Sequence, residues 1–252
     1  MKVVGIIPAR LKSTRLADKA LIDIEGLPMV VHVLKRAELS SVLDEVYVAT
    51  DSEEIKAAVT HHGGRVIWTS AHHQTGTDRL AEAAKDMDAD IIVNVQGDEP
   101  LLDPSHINHV VEPLLDDPSL QVSALVTPYA VKNSPSDIKA VLDLNNNIMY
   151  CSRADLPGDA RRPAETMWKM SFIIPMRKQF LMQFAAWGPS PNEKIEFIEH
   201  LRIVEHGIKF RAVVVDHAHI SVDTQEDLLK VRELMKTDTV KKQYLALSKS
   251  VR

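Results

Sequence analysis

Asp90-Ile91-Ile92-Val93-Asn94-Val95-Gln96-Gly97-Asp98-Glu99-Pro100 carries the clearest structural signal in this chain. Ile91, Ile92, Val93 and Val95 form a short apolar run of β-branched residues, broken only by Asn94. Such a run predicts a strand covered on both faces, as in a parallel sheet. It stops abruptly at Gly97-Asp98-Glu99-Pro100, which predicts a loop at the carboxyl end of a central strand. Open α/β sheets place their ligands there. A carboxylate at that point is suited to a divalent cation carrying nucleotide phosphates, although a solvated turn would carry acids as well.

Working outward, residues 2–7 read as a first buried strand, followed by a loop that packs Arg10, Lys12, Arg15 and Lys19 into ten residues with hydroxyls at Ser13 and Thr14. Guanidinium and backbone N–H groups bind phosphate oxygens. Pro8 and Ala9 open this candidate triphosphate loop, which lacks the glycines of a P-loop. Helical spacing over 28–39, a strand over 45–51, a helix from a Ser52 or Asp51 cap to 61 and a strand over 65–69 alternate. That order predicts a parallel sheet with helical crossovers. A polar loop over 71–79 enters a helix near Thr77; Gly76 there permits close approach to a flat ligand, and Arg79 could reach a base or a phosphate. The adjacent histidine pairs, 61–62 and 72–73, are not read as zinc ligands.

Beyond a helix over 104–115, the pattern turns strand-rich. Strands are expected over 121–128, 138–142, 148–151 and 169–175, with an Asn turn at 145–147. Helices are expected over 179–187 and, capped by Asn192, over 193–206. A strand over 209–215 leads to Asp223 and to Thr224 with Asp227, a capping-box pattern opening a last periodic helix through about 235. A second lobe is placed over about 128–212, with the nucleotide-binding part over 1–127 and 213–236; the tail over 237–252 either frames an extra helix or frays. The fold class is α/β, a mixed, mostly parallel central sheet flanked by helices with a smaller strand-rich lobe.

Composition narrows the function classes. The chain has 252 residues, 45% hydrophobic and 26% charged, with a net charge of −5. That balance gives no general signal for a nucleic-acid partner. One cysteine, Cys151, excludes a disulfide framework within the chain and suits a reducing compartment. The apolar run over 3–7 is too short for a signal-peptide core or a membrane span, so a cytoplasmic protein is expected.

Taken together, Ile7-Pro8-Ala9-Arg10, Ser13-Thr14-Arg15-Leu16, Val48-Ala49-Thr50-Asp51, the 74–79 segment, Val93 through Pro100, Tyr150 with Ser152-Arg153, Pro189-Ser190-Pro191 and Val222-Asp223-Thr224 with Glu226-Asp227-Leu228 resemble the cytidylyltransferases that activate sugar acids with CTP. The resemblance is greatest to the 3-deoxy-manno-octulosonate (KDO) cytidylyltransferases, enzymes of lipopolysaccharide biosynthesis. It implies a nucleotide-diphospho-sugar transferase type of sheet, a homodimer built through the second lobe, and Mg²⁺. It places Arg10, Arg15 and Lys19 on the triphosphate, Gly76, Thr77 and Arg79 in the segment facing the cytidine, and Asp98 and Asp223 on the metal. Pro8, Ala9, Ser13 and Gln96 complete the nucleotide set. Gln96, Arg153, Met170, Ile174, Glu199 and His200 are placed around the acceptor. The implied reaction couples CTP to an acidic acceptor and releases pyrophosphate, with KDO as the family's acceptor.

Two departures stand out. Ala17-Asp18 replaces the family's Pro-Gly before the lysine. Aligning on Arg177 and Trp187 puts Met170 at a family histidine and Ile174 at a tyrosine, and His200 replaces a glutamine. Lost hydrogen-bonding partners in a polar sugar pocket predict a changed acceptor, such as a modified ulosonate or a phosphonate. A non-catalytic nucleotide-binding paralogue is the other alternative, and the presence of Arg10, Lys19, Asp98 and Asp223 argues against it.

Overall fold

The computed structural model describes residues 1–11, 16–73, 75–158, 161, 162, 164 and 166–250. They form two compact units, one of Met1–Asn108 with His219–Arg252 and one of His109–Ala218.

The first unit begins with β1 (Val3–Pro8), whose residues 3–7 are all buried, as a strand covered on both faces requires. A 3₁₀ turn over Lys19–Leu21 and a two-residue hairpin, β2 (Asp23–Ile24) with β3 (Leu27–Pro28), follow. Neither carries a hydrophobic period long enough to read in sequence. Glu25 and Gly26 make the hairpin turn, both at positive φ. α1 (Met29–Ala37) lies within the expected 28–39 and is almost wholly buried. β4 (Glu45–Thr50), α2 (Glu53–His61) and β5 (Arg65–Trp68) complete the alternation, and Ser52 caps α2 by accepting from the Ile55 N–H. α3 (Gly76–Ala84) starts at a capping box of Thr75 and Asp78, which fixes its first turn. β6 (Ile91–Asn94) is buried at every position. The sheet order is β5-β4-β1-β6, all parallel, so the central pair β1 and β6 deliver their carboxyl ends side by side.

α4 (Pro104–Asp116) carries the chain into the second unit. That unit starts at 109 rather than near 128, because β7 (Val122–Tyr129) is the strand around which its sheet is built. β8 (Lys139–Leu142) and β9 (Ile148–Ser152) form the expected hairpin, with Asn146 at φ 57 and the Asp143 carboxylate accepting from the Asn145 and Asn147 N–H groups. The single strand expected over 169–175 is two, β10 (Met167–Ser171) and β11 (Ile174–Arg177), both antiparallel to β7. The helix expected over 193–206 is also two. α5 (Lys178–Ala186) is followed by α6 (Pro191–Glu196), capped by Ser190 with Glu193 rather than by Asn192, and then by α7 (Leu201–Glu205). Phe197, at φ 55, breaks the run between them. β12 (Phe210–Val214) pairs parallel with β7.

The chain then returns to the first unit as α8 (Gln225–Thr237) and α9 (Thr239–Ser250). Thr224 and Asp227 form the capping box the sequence predicts. Val222, Leu228, Val231 and Met235 pack with Ile24 and Met29 in one buried cluster. The tail belongs to the first unit as well. Buried Arg36 bonds Asp238 at 2.5 Å, and His32 in α1 meets Tyr244 in α9. Among the described residues no helix is long and apolar enough to cross a membrane.

Candidate active site

A cavity of about 650 Å³ opens at the carboxyl ends of β1 and β6, and the described residues that line it belong to the first unit. β1 supplies Pro8, and the loop beyond it supplies Ala9 and Arg10; the Ala9 N–H donates to the Ala49 carbonyl at 2.9 Å, which holds that exit in place. Gln96, Gly97 and Asp98 come from the end of β6. A Cβ on Gly97 would lie 3.1 Å from the Pro8 carbonyl oxygen, a tight contact that glycine spares where the two exits run close together. A Cβ on Gly76 would meet only the Pro8 ring, at 3.7 Å, an ordinary contact.

The centre of the site is one lysine between two acids. The Lys19 ammonium is 2.7 Å from Asp98 Oδ2 and 2.8 Å from Asp223 Oδ1. Both carboxylates touch the same nitrogen, so they lie within two hydrogen-bond lengths of each other. Burial opposes the charge on Lys19, but the two carboxylates outweigh it and hold the ammonium above its ordinary range. Desolvation raises the Asp98 carboxyl above the usual carboxylate range; Lys19 opposes this, while Glu99 and Asp223 add to it. Two hard oxygen donors converging on a cation, one of them still destabilised as an anion, are a donor set that fits Mg²⁺.

Arg10 is exposed on the rim and pairs with no carboxylate among the described residues, so its guanidinium is available to an anion. Arg79 lines the cavity with a constrained guanidinium, donating to Thr69 Oγ1 at 2.5 Å and pairing with Asp51 at 3.2 Å. Thr77 is 1% exposed and packs inward. Ser13 and Arg15 lie outside the described residues. Sequence reasoning missed His73 as a lining residue: its Nε2 contacts the Glu82 carboxylate, which also accepts the Ser70 N–H. It missed Thr75 too, although the Thr75-x-x-Asp78 capping signature was there to be read.

The acceptor candidates of the second unit have different surroundings. Arg153 donates to the Glu196 carbonyl at 2.5 Å, and Ser152 Oγ donates to the Glu196 carboxylate at 2.8 Å. Met170 is 1% exposed in β10 opposite Val126, and Ile174 in β11 is fully buried. These two side chains fill core positions, so their apolarity is what packing there requires. His200 is buried against the rings of Phe172, Phe184 and Phe210, and burial lowers its pKa so that the ring is neutral at pH 7. Glu199 is partly buried beside it, 4.0 Å from the His200 ring.

Residues 4–210 match the family model described as Cytidylyltransferase. The 3-deoxy-manno-octulosonate cytidylyltransferase of Geotalea uraniireducens is 44% identical over 250 residues, covering 94% of this chain and all of that one. Among solved structures, a CMP:2-keto-3-deoxy-manno-octonic acid synthetase complexed with CTP superposes with a TM-score of 0.90 at 36% identity, over 94% of this chain and 99% of that one. A cytidylyltransferase from Leptospira borgpetersenii shares the fold at 19% identity and a TM-score of 0.66, over 100% and 94% of the two chains.

Proposed function

Because the chain belongs to the 3-deoxy-manno-octulosonate cytidylyltransferase family, we propose that it transfers CMP from CTP to KDO and releases pyrophosphate. The observation that supports this reading is the convergence of Arg10, Lys19, Asp98 and Asp223 on one cavity; the sequence resemblance assigns these residues to the triphosphate and the metal. An acceptor hydroxyl gives up its proton to solvent as its oxygen bonds to the α-phosphorus of CTP, the bond from that phosphorus to the α–β bridging oxygen breaks, and pyrophosphate leaves with the electron pair. Arg10 meets the charge developing on the leaving group. Lys19 holds Asp98 and Asp223 together against their mutual repulsion, so the acidic pair is organised before substrate arrives. Mg²⁺ held by Asp98 and Asp223 would neutralise phosphate charge and lower the pKa of the acceptor hydroxyl.

The proposed setting is a cytoplasmic homodimer serving lipopolysaccharide biosynthesis. Met149, Ile195 and Phe197 of the second unit are exposed, and apolar surface of that kind is what a subunit interface covers. KDO is preferred as acceptor over a modified ulosonate or a phosphonate, because the sequence ground for a changed acceptor, Met170 and Ile174, consists of core residues. Pyrophosphate release from CTP and Mg²⁺ against a panel of sugar acids tests the reading. Release with KDO supports it. Turnover only with another acid, or CTP binding without release, would replace it by one of the two alternatives.

A further inference from the structure

Beneath the acidic pair lies a buried polar chain that the proposed chemistry does not use. Glu99 is 4% exposed, and its carboxylate accepts from Ser221 Oγ at 3.2 Å and from His219 Nδ1 at 3.1 Å. The ring proton of His219 can be placed by elimination. His219 Nε2 faces the Asp103 backbone N–H at 3.2 Å and His106 Nδ1 at 2.8 Å. A backbone amide only donates, so Nε2 accepts, and the proton sits on Nδ1, aimed at Glu99. His106 and His219 are themselves buried. One residue on, the Val222 N–H donates to the Asp98 carbonyl at 2.9 Å, and the Val222 side chain sits in the apolar cluster. Three hydrogen bonds therefore fasten residues 219–222 to residues 98 and 99, and the next residue is Asp223.

We propose that Glu99 is a positioning residue for the acidic pair: its carboxylate clamps the 219–222 segment to the end of β6 and so sets the spacing of Asp98 and Asp223. The proposal rests on reading Asp98 and Asp223 as the metal-binding acids. The two acids are 125 positions apart in sequence, from residue 98 to residue 223, so nothing local aligns them. A buried carboxylate is costly to keep unless its oxygens are paired, and here both of its partners come from the segment that ends in Asp223. Residues that hold metal ligands in place typically change metal affinity about 10–100-fold when removed.

The test is Mn²⁺ binding to the full chain, followed by the paramagnetic resonance of the free ion, with circular dichroism as the check on folding. Asp98→Asn and Asp223→Asn come first. If they bind Mn²⁺ as the native chain does, the metal-acid reading fails, whatever Glu99 does. If they lose binding, Glu99→Ala is expected to weaken it about tenfold or more. Glu99→Gln should recover most of that loss, since its carbonyl can accept from His219 and its amide can donate to Ser221 Oγ. A Glu99→Ala affinity within about twofold of native would overturn the clamp. So would a Glu99→Gln chain as weak as Glu99→Ala, which would make charge, not hydrogen bonding, the cause. If Glu99→Ala does not fold, Ser221→Ala removes one arm without changing charge; a few-fold weakening is expected there, and unchanged affinity refutes the proposal.

Discussion

Acid should loosen the first unit through one residue, His32. Its ring is fully buried in α1, with Nε2 2.6 Å from the Ile24 carbonyl and Nδ1 2.5 Å from the Tyr244 hydroxyl. The carbonyl can only accept, so the ring proton is on Nε2, and Nδ1 accepts from the tyrosine. Burial, reinforced by Arg36 and Lys241 and opposed by the Ile24 carbonyl and Asp23, lowers the His32 pKa to about 4. An unfolded histidine titrates near ~6.5. The unfolded chain therefore takes up this proton first as pH falls, so the contribution is fully present above ~6.5 and is lost progressively towards the folded value near 4. Integrating between those two values, the loss from pH 7.5 to pH 5.0 is about 2 kcal/mol, rising to about 3 kcal/mol below pH 4. Urea unfolding of the native chain and of His32→Gln at the two pH values measures it. Each chain is compared with itself, so any general weakening of the variant cancels. The native chain should lose about 2 kcal/mol more than the variant. Equal losses in the two chains would refute the assignment of the acid sensitivity to this ring.

Asp18 takes the left-handed conformation, at φ 49, that the family's glycine suits, and it places an acid next to Lys19. Asp18→Gly should lower the KM for CTP a few-fold at low salt, with the difference shrinking as ionic strength rises; a salt-independent KM would rule out the charge effect. Lys139 is fully buried and donates to the Ser134, Asp137 and Arg153 carbonyls. Lys139→Met strands those acceptors and the nearby Asp155 carboxylate, and should cost about 3 kcal/mol in denaturant unfolding. Asp98→Asn and Asp223→Asn should each abolish pyrophosphate release with unchanged circular dichroism, and a rate near native in either would remove that acid from the chemistry. CTP should be preferred to UTP in kcat/KM, since the bases differ at one exocyclic group; equal values would contradict nucleotide recognition through the Gly76–Arg79 segment.

Features that local spacing and local hydrogen bonding control are legible in the sequence. The apolar runs of β1 and β6, the period of α1, and the capping signals at residues 51–52 and at Thr224 are visible because each depends on residues within a few positions of one another. The motif order carried the family as well, through Pro8-Ala9-Arg10, the 93–100 run and Asp223. Tertiary structure decided the rest. The apolar content over 169–175 and 193–206 suits one strand and one helix, yet Phe197 turns left-handed and the strand divides around 172–173, because pairing with β7 and packing within the second unit override local preference. Met170 and Ile174 look like lost ligands in sequence and are core residues in three dimensions. Lys19 lies 79 residues from Asp98 and 204 from Asp223, and no local pattern announces that they meet. Local propensity is set by neighbours along the chain, whereas a charged triad at sheet ends exists only once β1, β6 and the start of α8 have been packed against one another.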